Sequence, residues 1–130
     1  MAVERNIHVV GHHGPDCEIH PSASVQNAHI NATSGVVKIG ALAMLAPGVT
    51  LVAGTHDMSR TGDERRKAIP DAGYDITVGP GAFLGANCTV IGPCKIGPDA
   101  VVAAGAVVVS DVAPGALVAG VPARHVKFVV

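Results

Sequence analysis

A histidine opens the longest polar stretch of this chain. Gly54-Thr55-His56-Asp57-Met58-Ser59 leads into a run carrying Arg60, Asp63, Glu64, Arg65, Arg66, Lys67, Asp71 and Asp75. An imidazole titrates near pH 6.5 (about one unit either way in folded proteins), so at neutral pH it is mostly uncharged and can take a proton from a hydroxyl. The alternative for His56 is a corner histidine bonded to its own loop. Asp57 either orients the ring, contacts an acceptor, or forms a turn that caps the loop. Nothing else reads as an activated nucleophile: there is no Gly-x-Ser-x-Gly elbow, and three cysteines without metal-ligand spacing point to a reducing compartment. His8, His12, His13, His20 and His29 cluster near the N-terminus, and after His56 the next histidine is His125. Exposed polar residues are the plain reading of that cluster, with His12-His13 as an adventitious metal site at most; no functional metal is expected.

The elements that must hold His56 follow from a period of six. Val78, Leu84, Val90, Ile96, Val102 and Val108 recur at that spacing, each followed four places on by Ala82, Cys88, Cys94, Ala100, Ala106 or Val112. A second block reads Ile39, Leu45 and Leu51 with Ala43, Val49 and Thr55. Six fits neither a helix at 3.6 nor a strand at 2; it fits short strands separated by corners, one face of a three-sided prism per hexad. Sixteen glycines and nine prolines supply the corners, and a chain with one Tyr, two Phe and no Trp fits an interior too narrow for rings. Cys88 and Cys94 then serve as small apolar filler. One more hexad starts at Ile19 and ends before Val25; between Val25 and Ile39 the spacing slips by two, which predicts a bulge or short loop. The expected organisation is an arm or irregular segment over 1–18, a parallel β-helix over 19–127 with an inserted loop at 57–77, and a tail at 128–130. A loop of that length inside a compact repeat is usually functional or disordered, and the position of this one suggests a flap over a site or a neighbouring subunit.

A formal charge of −1, with no basic stripe, gives no reason to expect nucleic acid or an anionic membrane as partner. No apolar run reaches a membrane span, and the N-terminus lacks a signal-peptide core. The cytoplasm is the expected location.

The His56 passage, followed after the loop by Ile76-Thr77-Val78-Gly79, resembles the hexapeptide-repeat acyltransferases. So does the tail from Val112-Ala113-Pro114-Gly115 to Ala119-Gly120-Val121-Pro122-Ala123-Arg124. The likeness spans about residues 19 to 127 and is strongest to the branch of maltose, galactoside and exopolysaccharide O-acetyltransferases. It implies a left-handed coil and a homotrimer with active sites between subunits. It also implies acetyl-CoA as co-substrate and direct acetyl transfer to a sugar or polyol hydroxyl. Position by position, His56 matches the general base, and Phe83 an aromatic near the acetyl end. Ala86 and Ala104 match backbone contacts to the pantetheine arm, Ser110 lies where the nucleotide end passes, and Arg124 matches the basic residue near its phosphates. The acceptor asparagine falls near Gln26, with Asn27 beside it; Asp57 is the other acceptor-side candidate. The same fold hosts zinc hydratases that use three histidines, but the coils here lack the closely spaced pair. N-acetylation of an amino sugar and a non-catalytic scaffold role are the alternatives.

Overall fold

The computed structural model describes residues 7–10 and 17–130, so His12 and His13 lie outside the described residues. The six-residue period becomes three stacks of short strands around one core. Face 1 holds Cys17–Ile19, Val37–Ile39, Ile76–Val78 and Cys94–Ile96. Face 2 holds Ser24–Val25, Met44–Leu45, Phe83–Leu84, Val101–Val102 and Ala116–Ala119, with Arg124–Phe128 added antiparallel at its end. Face 3 holds His8–Val10, His29–Asn31, Thr50–Val52, Thr89–Ile91 and Val107–Val108. The chain visits faces 1, 2 and 3 in turn and winds left-handed, and every ladder but the last is parallel.

Register puts like above like. Ile39, Val78 and Ile96 stack on face 1; Val25, Leu45, Leu84 and Val102 on face 2; Ile30, Leu51, Val90 and Val108 on face 3. All are buried. Each such side chain contributes roughly 1.5–3 kcal/mol when taken out of water. Ala82, Cys88, Ala100 and Ala106 sit two places before the next wall residue and are buried where two faces converge; a larger side chain there would cost about 1–3 kcal/mol in overpacking. Two expected small partners differ. Val112 bridges Ile96 and so lines face 1 itself, because the coil shortens after Val108. Thr55 stands half-exposed where the chain leaves the prism.

Most corners leading onto faces 2 and 3 turn through a left-handed residue three places before the wall aliphatic, as at Gly81 (φ 72°), Asn87 (φ 59°) and Asp99 (φ 57°). The glycines after Val78 and Ile96 serve another purpose. A Cβ on Gly97 would come within 2.5 Å of the Pro114 nitrogen in the next coil, so only glycine lets the backbones approach there.

Irregularity gathers mainly at the edge between faces 3 and 1, with one shortened corner at the edge between faces 2 and 3. The slip expected between Val25 and Ile39 is a shortened corner before Ile30 and a lengthened one, Ala32 to Val36, after it. The long excursion leaves at the same edge after Ala53. It carries a short helix, Gly62–Lys67, none of whose residues is buried, and ends at Asp75 because Ile76–Val78 is a strand. Part of the expected N-terminal arm also pairs into the prism: His8–Val10 lies beside His29–Asn31 and Cys17–Ile19 beside Val37–Ile39. Among the described residues no helix is long and apolar enough to cross a membrane.

Burial pushes the Cys88 thiol up to about 11 and the Cys94 thiol up to about 12, the latter with help from the Asp111 carboxylate. The thiolate is the reactive form. Neither should therefore react with an aromatic disulfide reagent at pH 8 in the folded protein, while both should react once it is unfolded. Rapid labelling of either in the native state would contradict this packing.

Candidate functional site

His56 lies three residues past the last buried position of its coil, Ala53, at the edge between faces 3 and 1. Below it the edge is a web of neutral polar groups. Thr55 N–H reaches Ser34 Oγ at 3.4 Å, and Thr55 Oγ1 donates to the His56 carbonyl at 3.1 Å. Asn31 Oδ1 accepts from the Thr33 N–H (3.0 Å) and the Thr33 hydroxyl (2.8 Å). Gly54 passes so close that a Cβ there would overlap both Asn31 Oδ1 and Thr33 Oγ1.

The ring itself is tied from above. His56 Nδ1 lies 3.0 Å from the Arg65 carbonyl oxygen. A carbonyl can only accept, so Nδ1 carries the hydrogen, and in the neutral ring the lone pair is left on Nε2. That carbonyl belongs to the last turn of the Gly62–Lys67 helix, where backbone oxygens lack helical partners; the imidazole satisfies one of them. The excursion is closed beneath by Asp57 N–H to the Ala68 carbonyl, 2.8 Å.

On the opposite edge, between faces 2 and 3, the corners show a second pattern. There the residues two places after Leu45, Leu84 and Val102 are Pro47, Ala86 and Ala104; at the edge between faces 1 and 2 the same position holds Pro21, Ala41, Pro80, Pro98 and Pro114. Proline suits a position whose N–H would bond nothing. Ala86 and Ala104 keep their N–H groups, which make no hydrogen bond among the described residues, and they stack on successive coils through the Gly105 N–H to Ala86 carbonyl bond of 2.9 Å. Two donors thus project in line along one edge. Phe83, 36% exposed, stands on face 2 beside them, with Met44 as its ladder neighbour. Higher up, Ser110 and Arg124 line one pocket of about 300 Å³, together with Asp111 and His125.

The expected site residues therefore fall in three places: Phe83, Ala86 and Ala104 at one edge of face 3, His56 and Asp57 at its other edge, and Ser110 and Arg124 in the pocket at the end of the prism. Asn27 does not join His56. It lies two places before His29, just as Asn87 lies two before Thr89, and its φ of 51° makes it the turning residue of the Ala86 edge. The asparagine at the histidine's edge is Asn31, whose ladder partner Val52 precedes the departure to His56. Sequence reasoning missed it because the slip between Val25 and Ile39 hides its register; counting back from Val52 would have found it. Of the N-terminal histidines, His8 and His29 stack with ring centroids 4.9 Å apart, and His20 Nδ1 pairs with Ser22 Oγ at 2.8 Å. Among the described residues no three His, Cys, Asp or Glu side chains group as metal ligands.

Residues 75–110 match the bacterial transferase hexapeptide (six repeats) family. The chain is 37% identical over 113 residues to serine acetyltransferase 4 of Arabidopsis thaliana, covering 86% of this chain and 30% of that protein. It is 32% identical over 91 residues to the galactoside O-acetyltransferase of Escherichia coli, covering 70% and 43%. Among solved structures, a hexapeptide-repeat acetyltransferase from Vibrio cholerae superposes with a TM-score of 0.63 at 25% identity, over 93% of this chain and 73% of that one. The chain spans less than half the length of these curated relatives.

The Asp57 carboxylate holds its own turn rather than the imidazole. It accepts from the Ser59 hydroxyl (2.5 Å), the Ser59 N–H (3.0 Å) and the Arg60 guanidinium (3.2 Å). These bonds, the Ser59 hydroxyl first, hold its carboxyl below the ordinary aspartate value. A depressed carboxyl stabilises the turn at any pH above its unfolded value, about 3.9, and the contribution disappears as pH falls through the lower folded value. In a carbon-13 titration the Asp57 carboxyl should have its midpoint below that of a free aspartate, and Ser59→Ala should move it back up; an unchanged midpoint in the variant would overturn the assignment.

Proposed function

Because this chain belongs to the hexapeptide-repeat transferase family, we propose that it transfers an acetyl group from acetyl-CoA to a hydroxyl of a sugar or similar polyol, with His56 as general base. The observation that carries the reading is the tether of His56 Nδ1 to the Arg65 carbonyl, which leaves Nε2 as the proton acceptor at an edge lined by Asn31, Thr33 and Thr55. Neutral hydrogen-bonding groups of this kind suit an uncharged polyol.

In this reading Nε2 removes the acceptor's hydroxyl proton as the oxygen attacks the thioester carbonyl. The tetrahedral intermediate collapses with cleavage of the carbon–sulfur bond. The departing sulfur takes the proton back from the imidazolium, giving an ester, free coenzyme thiol and unchanged enzyme. Cys88 and Cys94 are buried, which favours direct transfer over an acyl-enzyme. The coenzyme's pantetheine arm would run along the Ala86 and Ala104 N–H groups, with Phe83 near the acetyl end and the nucleotide end in the Ser110–Arg124 pocket. The Ala86 N–H is also the candidate donor to the developing oxyanion. Since His56 and this row stand on opposite edges of face 3, the complete site requires the histidine of one copy to meet the row of another, as a cytoplasmic homotrimer would provide. A second reading, with serine as acceptor, is favoured by the 37% identity to a serine acetyltransferase.

His56→Ala should lower kcat by about 10²- to 10⁴-fold when release of free thiol is followed with acetyl-CoA and a panel of sugars, amino sugars and serine. Near-normal turnover would overturn the base role, and turnover with serine alone would replace the polyol reading by the second one.

Ala86→Pro tests the coenzyme edge separately. A proline at 86 would reproduce the corner at Pro47, which follows Leu45 on the coil below just as Ala86 follows Leu84, so thermal stability should be retained. The Michaelis constant for acetyl-CoA should rise about 2- to 10-fold through loss of one hydrogen bond. An unchanged constant would remove the Ala86 N–H from the coenzyme site.

A further inference from the structure

Six charged residues of the excursion pair with each other. Arg60 pairs with Asp57 and Glu64, at 3.2 and 3.7 Å; Arg66 and Lys67 both pair with Asp63, at 2.6 and 2.8 Å. Arg65 departs from this pattern. Its guanidinium meets no carboxylate among the described residues; instead Nε donates to the Arg60 carbonyl at 2.6 Å and an Nη to the Met58 carbonyl at 3.1 Å. Its own carbonyl is the one that takes the His56 Nδ1 hydrogen. One residue therefore gathers the descending strand of the loop with its side chain and fixes the histidine with its backbone.

We infer that Arg65 is a positioning residue for the base. By stapling residues 58–60 to the helix, it holds its carbonyl where only the Nδ1–H form of His56 can bond, and so keeps the lone pair on Nε2 facing the acceptor. The helix that carries Arg65 buries no residue and is too short to be stable alone. Its placement depends on such side-chain ties and on the Asp57 to Ala68 backbone bond. Without the staple the carbonyl drifts, the ring loses its fixed orientation toward the acceptor, and part of the population presents Nε2–H, which cannot act as base. The inference rests on the reading of His56 as base, but the tautomer is observable whether or not the acetyl-transfer reading holds.

The test pairs nitrogen-15 spectroscopy of the imidazole with steady-state kinetics on Arg65→Ala and Arg65→Lys. The native protein should show the His56 ring with Nδ1 protonated and Nε2 bare. Arg65→Ala should show a mixture of tautomers and a kcat lowered about 10- to 100-fold, with the acetyl-CoA Michaelis constant and the melting temperature unchanged. Arg65→Lys, able to reach one carbonyl but not both, should fall between. A single Nδ1–H tautomer and native kcat in Arg65→Ala would overturn the inference. Failure of the parent reading looks different: the native enzyme would release no thiol with any acceptor, while the tautomer shift in Arg65→Ala would still report the staple.

Discussion

The stacking of one coil's wall residues directly on those of the next is the constraint from which the other features follow. Parallel strands about 4.8 Å apart bring Leu45, Leu84 and Val102 into one continuous ladder, and the prism is too narrow for any of them to be exchanged for a ring. Once that register is set, corners have little freedom. Most of those leading onto faces 2 and 3 turn through a left-handed residue, keep a small side chain where the faces converge, and bring backbone against backbone at Gly79 and Gly97. The faces are therefore repetitive, and the Ala86 and Ala104 N–H groups recur on successive coils of one edge.

The third edge behaves differently because both ends of any insertion there are fixed by the ladders on either side. Val52 pairs with Ile91 and with Asn31 on face 3, and Ile76 with Val37 and Cys94 on face 1. Chain added between Val52 and Ile76 cannot shift the register of either face. Its return is anchored by the Asp75 carboxylate, which accepts the Val36 N–H at 2.8 Å, and by the Asp75 carbonyl, which accepts the Cys94 N–H at 3.0 Å. A polar loop with its own internal ion pairs can thus be carried without loss of the core, and a histidine at its root has one neighbour set by the prism and another set by the loop.

Much of this was legible in the residues alone because a six-residue repeat allows little besides a three-sided column. Leu84 and Val102 could be assigned to the wall, and Cys88 to the corner, before any coordinates. Legibility failed where register was broken. Asn27, the acceptor-side candidate, stands at a left-handed corner with φ of 51°, which Asn tolerates more readily than most residues. Asn31, which does share the edge with His56, lies between a shortened and a lengthened corner that only strand pairing reveals. Val112 was placed at a corner for the same reason: the coil ahead of it is short. The Arg65 tie was invisible in sequence, where Asp-Glu-Arg-Arg-Lys reads as a solvated charge run and nothing separates one arginine from the next.

Dividing the site between two edges has a consequence for specificity. The row that would hold a coenzyme is built from the repeating geometry of the corners, and differs from a neighbouring corner only in lacking proline. The edge that would meet an acceptor combines Asn31 and Thr33 from one irregular corner with His56 from another. Changes of one or two residues there leave every ladder bond intact, whereas similar changes at Gly97 or Ala100 disturb two coils at once. Residues at that edge can therefore change on a prism that stays the same.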